Sequence, residues 1–292
     1  MTIVLSRPQA VALDQVVAAL REWQIEGGSV HLHPGDVGWY LRFGAEATAA
    51  ALRTWSRDGR ILAVGLIDGP ELVRLAVAPE AQADDELVRQ LVGDVSRPER
   101  GVLPEGDVSV EARFGGPFRD LLLAGGRWVA GAPWTPLRRD LADPVEDCGL
   151  RIEGIGPDLA HVRAAVQRAA FDRSTFTGER WHAMAAGSPY GDARCLVAYD
   201  GRGDAVAAAT VWSAGAGRPG LLEPLGVHRD HRRRGHGTAI SLAAAAALRS
   251  LGSSSAVVCT PSSNIAAVAT YASAGFARLA DIRDLECVRN VL

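Results

Sequence analysis

Residues 221–252 read LLEPLGVHRDHRRRGHGTAISLAAAAALRSLG. The apolar run that ends at Val227 predicts a β-strand, the glycines and arginines after it predict a loop, and the alanine-rich run before Gly252 predicts a helix. Gly235 and Gly237 let backbone N–H groups come close to a ligand, because they carry no Cβ. The N-terminus of the predicted helix adds unpaired donors and a positive dipole, so the stretch is typical of a phosphate-binding loop.

A second motif, NIAAVATYASAGF, follows at residues 264–276. Taken with the loop, it resembles the GNAT superfamily of acyl-CoA-dependent N-acyltransferases. The pyrophosphate loop of that superfamily reads Arg/Gln-x-x-Gly-x-Gly/Ala a few residues after a strand ending in Val, and residues 227–237 of this chain fit that order. Its later signature is matched by Asn264, Ala267, Tyr271, Gly275 and Phe276. The motifs cover residues 150–285, and the first half resembles the superfamily only in the order of its predicted elements.

The resemblance implies acetyl-CoA as acyl donor and a direct attack of an acceptor amine on its thioester in a ternary complex. It implies that Tyr271 protonates the leaving thiolate and that Glu223 is the candidate base for the acceptor ammonium. A backbone N–H near residues 226–227 would polarise the thioester carbonyl. The residues implied to hold the cofactor are Gly226, Val227, His228, Arg229, Arg232, Arg233, Arg234, Gly235, His236, Gly237, Thr238 and Asn264.

The residues themselves leave other roles open. Tyr271 also fits a packed aromatic side chain, and a strand carboxylate such as Glu223 is often only an ion-pair partner. Asn264 suits a helix cap. Glu223 and Val227 have the same strand parity, which predicts that both project to one face. Pro224 removes a backbone donor from the same strand and therefore predicts a bulge or a splay there.

The order of predicted elements repeats along the chain. LAVAP at 75–79 corresponds to LGVHR at 225–229, an offset of 150, and Pro8 and Trp128 have counterparts at nearly the same offset. We therefore expect an α/β protein with a mixed sheet, built from two GNAT-like domains in tandem, residues 1–146 and 147–292. The first is expected to open with a strand at 2–5, a helix from Pro8 to Trp23 capped by Ser6, and a second helix at 45–57.

The first half carries no counterpart of the glycine loop. At the equivalent position it reads QADDEL, residues 82–87, which has three carboxylates and no glycine. Such a segment would repel a pyrophosphate. We therefore expect residues 1–146 to be a degenerate copy without a CoA pyrophosphate site.

Composition restricts the remaining classes of function. The net charge is −3, and the short basic stretch at 228–236 has no aromatic platform beside it, so we expect no nucleic-acid partner. The chain contains no Lys, which excludes a lysine Schiff base. The four cysteines have no CxxC spacing and the loop histidines lack metal-ligand spacing, so we expect no metal. No leader or membrane segment is apparent; the expectation is a cytoplasmic protein that does not bind membranes, of open oligomeric state.

Two functions remain open at this point. The first is an acetyl-CoA-dependent N-acetyltransferase that acts on a primary amine of a small molecule. The alternative is a non-catalytic acyl-CoA-binding or regulatory module, which would keep the loop without the acid–base pair. The segment that should select the acceptor, residues 172–190, carries no readable motif.

Overall fold

The computed structural model describes residues 2–29, 31–114 and 116–287. Helices and strands of the first half are β1 Val4–Ser6, α1 Leu13–Glu22, α2 Pro34–Tyr40, α3 Ala45–Ala51, β2 Leu52–Arg57, β3 Arg60–Ile67, β4 Leu72–Val77, α4 Asp85–Ser96, β5 Ser109–Ala112, α5 Gly116–Ala124 and β6 Trp128–Asp140. Those of the second half are β7 Arg151–Gly154, α6 Ala160–Ala170, α7 Gly178–Ala185, β8 Ala193–Tyr199, β9 Ala205–Trp212, β10 Gly220–Val227, α8 His236–Ser250, β11 Ser255–Pro261, α9 Ile265–Ser273, β12 Ala277–Arg278 and β13 Ile282–Cys287.

The described strands form one mixed sheet that runs through both halves. Its order is β1-β2-β3-β4-β5-β13-β6-β11-β10-β9-β8-β7, and β12 pairs with β6 outside this path. The final strand β13 is inserted between β5 and β6 of the first half. Strand β6 in turn pairs with β11, from Ser255 opposite Asp140 to Pro261 opposite Trp134. Each half therefore gives a strand to the sheet of the other, and backbone hydrogen bonds join the halves.

Three apolar clusters cover the faces of this sheet. One fills the first half and includes Leu285 of β13. In the second half, one cluster packs α8 through Ile240 and Leu248, and the other packs α6 and α7 through Ala164 and Met184. These side chains are at most 1% exposed, so the helices bury continuous apolar faces, the dominant favourable term in folding.

The two halves repeat each other in detail where β4 and β10 end. Ala78 has φ −50° and ψ 131°, and His228 has φ −50° and ψ 130°. The N–H of Ala78 donates to Leu62 O and that of His228 to Val206 O, both at 2.8 Å. Each residue precedes a short 3₁₀ turn, Pro79–Ala81 or Arg229–His231. The fold is thus α/β with two similar units in tandem, as the repeat predicted.

Two expectations for the first half are wrong. The helix predicted over 45–57 ends at Ala51, and residues 52–57 form β2, which lies between β1 and β3. Its Trp55 is fully buried, since aromatic and β-branched residues favour a pleated, packed surface. Ser6 does not cap a helix, because it lies in β1 and its hydroxyl is 2.9 Å from Thr54 Oγ1. The α-helix starts only at Leu13, after a 3₁₀ turn.

Helix α2 was not predicted, although it joins the halves. It begins with a capping box: the His33 ring accepts from Gly35 N–H at 2.9 Å, and Asp36 Oδ2 accepts from His33 N–H at 2.6 Å. A Cβ added to Gly35 or to Gly38 would lie 2.4 Å from the side chain of Trp212 in β9. The two glycines therefore let the helix backbone lie directly on the second half.

Candidate active site

Strands β10 and β11 diverge at the centre of the second half. They pair only at Gly220–Ala256 and Leu221–Val257, beyond which β10 stays on β9 and β11 stays on β6. A register shift between Leu222 and Leu225 marks a bulge in β10, and the Glu223–Pro224 peptide within it is cis. The bulge and splay predicted from Pro224 are confirmed. The extra residue also breaks simple alternation, so the parity argument for Glu223 and Val227 does not hold across it.

The splay leaves backbone donors of β10 without a neighbouring strand. The N–H of His228 donates to Val206 O on the β9 side. Because hydrogen bonds alternate along an antiparallel pair, Gly226 also faces β9, and Val227 directs its N–H into the gap between β10 and β11. The Val227 N–H is thus available to a ligand that enters the gap.

The loop after β10 ends in an open helix N-terminus. Gly235 is the N-cap of α8 with φ 82°, and no side chain in the described part of the chain caps this helix. A Cβ at Gly235 would meet no heavy atom within 4 Å. The first N–H groups of a helix have no partner within the helix, so those of residues 236–238 are free to bind an anion.

The four arginines near this loop do not share one role. Arg229 donates to Ala169 O at 2.8 Å and Arg232 to Ala170 O at 2.7 Å, so both satisfy carbonyls at the end of α6. Arg233, with φ 62°, and Arg234 are exposed, and the described residues offer neither of them an ion-pair partner. Only this second pair has side chains free to accompany an anion at α8.

The other residues implied to hold the cofactor mostly shape the backbone. A Cβ at Gly226 would lie 2.7 Å from Ala170 Cβ, and one at Gly237 would lie 2.8 Å from Thr270 Cγ2 of α9. These glycines permit close packing with α6 and α9. His228 caps its 3₁₀ turn, and Asn264 caps α9 by accepting from Ala267 N–H at 3.2 Å. His236 is buried and Thr238 half-buried in the first turn of α8.

The two predicted catalytic side chains lie close enough to influence each other. Tyr271 is 7% exposed, and burial together with the Glu223 carboxylate raises the pKa of its phenol. The phenol therefore stays protonated at neutral pH and is a hydrogen donor. Glu223 is about one-third exposed on its side chain (36%), and its backbone O accepts from Trp212 Nε1 at 2.7 Å.

The first half supplies a charged cluster beside Glu223. Arg74 of β4 lies at its centre, with a side chain only 12% exposed. Its guanidinium nitrogens lie within 4.0 Å of four carboxylates: Asp36 at 2.8 Å, Glu111 at 3.1 Å, Asp68 at 3.6 Å and Glu223 at 4.0 Å. We call these five side chains the Arg74 cluster. It carries more negative than positive charge and connects β4, β5 and α2 with β10.

Burial changes the pKa of a carboxyl group in this cluster. Desolvation raises the pKa of Asp36, Arg74 opposes the shift, and Glu223 adds to it. Glu111 Oε1 is buried without a hydrogen-bond partner among the described residues. Arg113 lies 3.2 Å from Glu111 Oε2, the same oxygen that contacts Arg74, and continues the network to Asp284, whose pKa burial raises to about 6.

Sequence reasoning did not identify the Arg74 cluster. Arg74 directly precedes the repeated LAVAP segment, but the repeat gave no reason to place it near Glu223, more than 140 residues away. The capping box around Asp36 was the available local signal, and it has His rather than Ser or Thr at the N-cap. The cluster arises from the docking of α2 and from the sheet that runs through both halves.

The rings of the loop histidines lie close to one another in edge-on and tilted arrangements. The ring centroids of His228 and His231 are 5.2 Å apart, and those of His231 and His236 are 6.4 Å apart. Within residues 2–29, 31–114 and 116–287, no group of three or more His, Cys, Asp or Glu side chains is arranged to hold a metal ion. The same part of the chain contains no helix long and apolar enough to cross a membrane.

One family model matches the part of the chain that contains this geometry. Residues 164–276 match the model of the acetyltransferase (GNAT) family. The match lies entirely in the second half of the chain. The splayed β10, the open loop and α9 all lie within the matched residues. No curated protein matches the chain.

Solved structures extend the GNAT fold to the whole chain. A tandem GNAT protein from the clavulanic acid biosynthesis pathway aligns with TM-score 0.60 and 16% identity, over 98% of this chain and 98% of that one. A GNAT-family acetyltransferase from Colwellia psychrerythraea gives 0.58 and 15%, over 98% and 99%. A GCN5-related N-acetyltransferase from Sphaerobacter thermophilus gives 0.56 and 19%, over 97% and 94%. At these identities the likeness is one of fold.

Proposed function

We propose that the protein is an acetyl-CoA-dependent N-acetyltransferase that acetylates a primary amine of a small molecule. The observation that carries the proposal is the Val227 N–H, which faces the gap between β10 and β11, with the open α8 terminus at one end and Glu223 and Tyr271 nearby. A donor fixed in a splayed sheet suits the oxygen of a thioester carbonyl, where negative charge develops during acyl transfer.

The residues around α8 fit the diphosphate of CoA. Gly235 leaves the N-terminus of the helix accessible, and Arg233 and Arg234 supply positive charge in solvent. Backbone N–H groups of residues 236–238 would hold the phosphates, aided by the helix dipole. Gly226 and Gly237 contribute by allowing α6 and α9 to pack closely around the loop.

The acid and base roles follow from the surroundings of two side chains. Glu223 is partly solvated and lies beside a cation, so it is suited to accept a proton from an acceptor ammonium, directly or through water. Tyr271 is buried and keeps its proton, so it is suited to donate that proton to the leaving sulfur. The amine would attack the thioester directly, and both substrates would be bound together.

We also propose that residues 147–292 form the catalytic domain and that residues 1–146 form a copy without a CoA site. The loop equivalent to 228–235 in the first half ends in Asp84, whose carboxylate accepts from Glu86 N–H and Leu87 N–H at 3.0 Å. This carboxylate occupies the helix N-terminus that a phosphate would need. The first half instead contributes the Arg74 cluster to the active site.

Two measurements test the proposal. Calorimetric titration should show acetyl-CoA binding, and a thiol assay should show CoA release with some of a panel of primary amines. Tyr271→Phe should keep the affinity for acetyl-CoA and lower kcat by about 100-fold, because only the proton donor is removed. Binding without CoA release from any amine, in the wild type, would instead favour a non-catalytic acyl-CoA-binding module.

A further inference from the structure

A second charged group lies beside the Arg74 cluster and has the opposite sign. Arg42 follows α2 in a 3₁₀ turn of the first half, and Arg180 lies on α7 of the second half. Their guanidinium carbons are 4.2 Å and 5.1 Å from the centroid of the Phe43 ring. Arg42 is also 4.4 Å from the ring of Trp39. Two cations from different halves thus meet on one aromatic surface.

A third cation lies behind this surface. Arg163 of α6 is completely buried, and its guanidinium carbon is 5.4 Å from the Phe176 ring, which stacks on Trp39 at 5.0 Å. It donates to Gln167 Oε1 at 2.8 Å and to Thr210 Oγ1 at 3.4 Å, both neutral acceptors. Its Nε has no hydrogen-bond partner among the described residues. We call Arg42, Arg163 and Arg180 the arginine wall.

The described part of the chain places no carboxylate within 4.0 Å of any guanidinium of the arginine wall. Arg42 donates to Trp39 O at 2.8 Å, and Arg180 donates to the Thr175 hydroxyl, again neutral groups. Burial lowers the pKa of Arg42 to about 10, Asp68 and Glu223 oppose the shift from a greater distance, and Arg180 adds to it. Buried positive charge without a paired anion is costly, so this surface is suited to an anionic ligand.

The arginine wall is tied to the base through α2. Gly35 and Gly38 let this helix pack directly against Trp212. The indole N–H of Trp212 donates to the backbone O of Glu223. Trp39 of the same helix stacks with Arg42, and Asp36 of the same helix contacts Arg74. One short helix therefore sets a carboxylate-rich surface and a guanidinium-rich surface next to each other at the junction of the halves.

We propose that the acceptor is a zwitterion: an amine that also carries a carboxylate or a phosphate. Its amine lies at Glu223, and its anionic group is held by Arg42 and Arg180, with Arg163 adding charge from behind. The inference rests on the proposed acetyltransferase function and specifies the class of its acceptor. Guanidinium groups suit this task because they bind carboxylate and phosphate through paired, charge-assisted hydrogen bonds.

Pairs of amines that differ by one anionic group provide the test. L-lysine is compared with cadaverine, and phosphoethanolamine with ethanolamine, by the initial rate of CoA release at saturating acetyl-CoA. For at least one pair, the anionic member should have a kcat/KM about 10-fold or more above that of its partner. A preference within the first pair identifies a carboxylate, and one within the second identifies a phosphate.

Variants then assign the preference to the arginine wall. Arg180→Gln and Arg42→Gln should raise KM for the preferred anionic amine by about 10-fold or more. The KM of the member of the pair that lacks the anionic group should change little. Neither variant should change the Kd for acetyl-CoA. Arg127→Gln is the matched control, since Arg127 is an exposed arginine in the turn between α5 and β6, outside the acceptor segment, and it should behave as the wild type.

The possible results separate this inference from the proposed function. Loss of acetyl-CoA binding in the wild type would remove the proposed function itself. Normal acetyl-CoA binding with equal rates in both pairs, with faster reaction of cadaverine and ethanolamine, or with reaction of other primary amines but of no pair member, overturns the zwitterion inference alone. An unchanged KM in Arg180→Gln and Arg42→Gln overturns it as well, even if the wild type prefers anionic amines.

Discussion

The N-termini of α4 and α8 follow equivalent strand ends and equivalent 3₁₀ turns, but only that of α4 is capped by a side chain. In α4 the Asp84 carboxylate accepts from two N–H groups of the first turn and also binds Arg57 at 2.6 Å. In α8 Gly235 occupies the N-cap and offers no side chain. The protein thus provides an internal anion for the helix of the first half, and it leaves the helix of the second half open to an external one.

A small change in the backbone separates the two loops. After the turn, Gln82 stays in the right-handed helical region, with ψ −26°, whereas Arg232 is extended, with ψ 159°. Six residues lead from Ala78 to Asp84, and seven lead from His228 to Gly235. The longer loop passes through positive φ at Arg233 and Gly235 before the helix begins. One residue of loop length and one cap thus separate a helix N-terminus that a side chain satisfies from one that stays open.

Exchanging the caps tests this comparison most strongly. Gly235→Asp places a carboxylate at the start of α8, as Asp84 does in α4, and its Cβ enters open space. Asp is among the residues that tolerate positive φ, so the fold should persist. We expect the affinity for acetyl-CoA to fall by about 100-fold or more, about 2.7 kcal/mol, measured by calorimetry.

Gly203→Asp is the matched control, because Gly203 also has positive φ, 86°, and open space at its Cβ, but lies in the turn between β8 and β9. It should bind acetyl-CoA as the wild type does. Undiminished affinity in Gly235→Asp would contradict the assignment of the diphosphate to α8.

The Arg74 cluster tests whether the first half takes part in catalysis. Arg74→Gln removes the cation nearest to the Glu223 carboxylate, and Asp36→Asn removes a neighbouring acid whose pKa burial raises. We expect Arg74→Gln to lower kcat/KM by about 10-fold or more and to move the acidic limb of its pH profile to higher pH. Asp36→Asn should leave that limb close to its wild-type position, because burial raises the pKa of Asp36 to about 8 and its carboxyl group is already neutral at acidic pH.

Both variants alter the same cluster, but only Arg74→Gln changes its charge at acidic pH, a difference that a general loss of structure would not produce. Thermal unfolding of both variants serves as the control for stability. An acidic limb that shifts equally in both variants, or in neither, would show that the Arg74 cluster has a structural role only.

The contact of α2 with Trp212 tests how tightly the halves must fit. In Gly38→Ala the new methyl group would lie 2.4 Å from Trp212 Cζ3, so the helix or the indole must move. We expect a loss of about 2 kcal/mol in the free energy of unfolding, as for other overpacked sites, measured by urea denaturation. Gly156→Ala is the control, since its Cβ meets nothing within 4 Å and should cost little. Equal stability of the two variants would refute the close contact.

We expect the smallest effect on stability at Asp84, the carboxylate that caps α4. Asp84→Ala should lower the free energy of unfolding by about 1 kcal/mol, the usual value for a lost N-cap, and leave acetyl-CoA binding unchanged. The hydrogen bond and charge of Arg57, with backbone N–H groups, lower the pKa of Asp84 from 3.8 to about 2. A depressed pKa stabilises the folded state above pH 4, and this contribution disappears as the pH falls towards 2.

Urea denaturation between pH 2 and pH 7 measures this difference. The gap between Asp84→Ala and the wild type should be full at neutral pH and close at the acidic end. Asp84→Asn keeps a capping oxygen without the charge, so it should lose less stability than Asp84→Ala. A gap that stays constant with pH would contradict the ionic part of the account.

The sequence predicted the elements and loop of the second half well, because these are local signals. Neighbouring residues determine each of these features: the strands that end in Val, the helices that follow Asn264 and Gly235, and the break at Pro224. Residues 52–57 were misassigned, since an amphipathic run beside alanines fits either structure until its partners are known. The exchange of β6 and β13, and the approach of Arg74 to Glu223, depend on pairing between distant strands, which no local pattern encodes.

The central claim is that one helix N-terminus binds the donor and its copy does not. Hydrogen exchange at single-amide resolution, with and without acetyl-CoA, compares both helices in one experiment. We predict that acetyl-CoA slows exchange at residues 236–239 at the start of α8 and leaves residues 85–88 at the start of α4 unchanged. Protection at 85–88, or bound acetyl-CoA without protection at 236–239, would contradict the account.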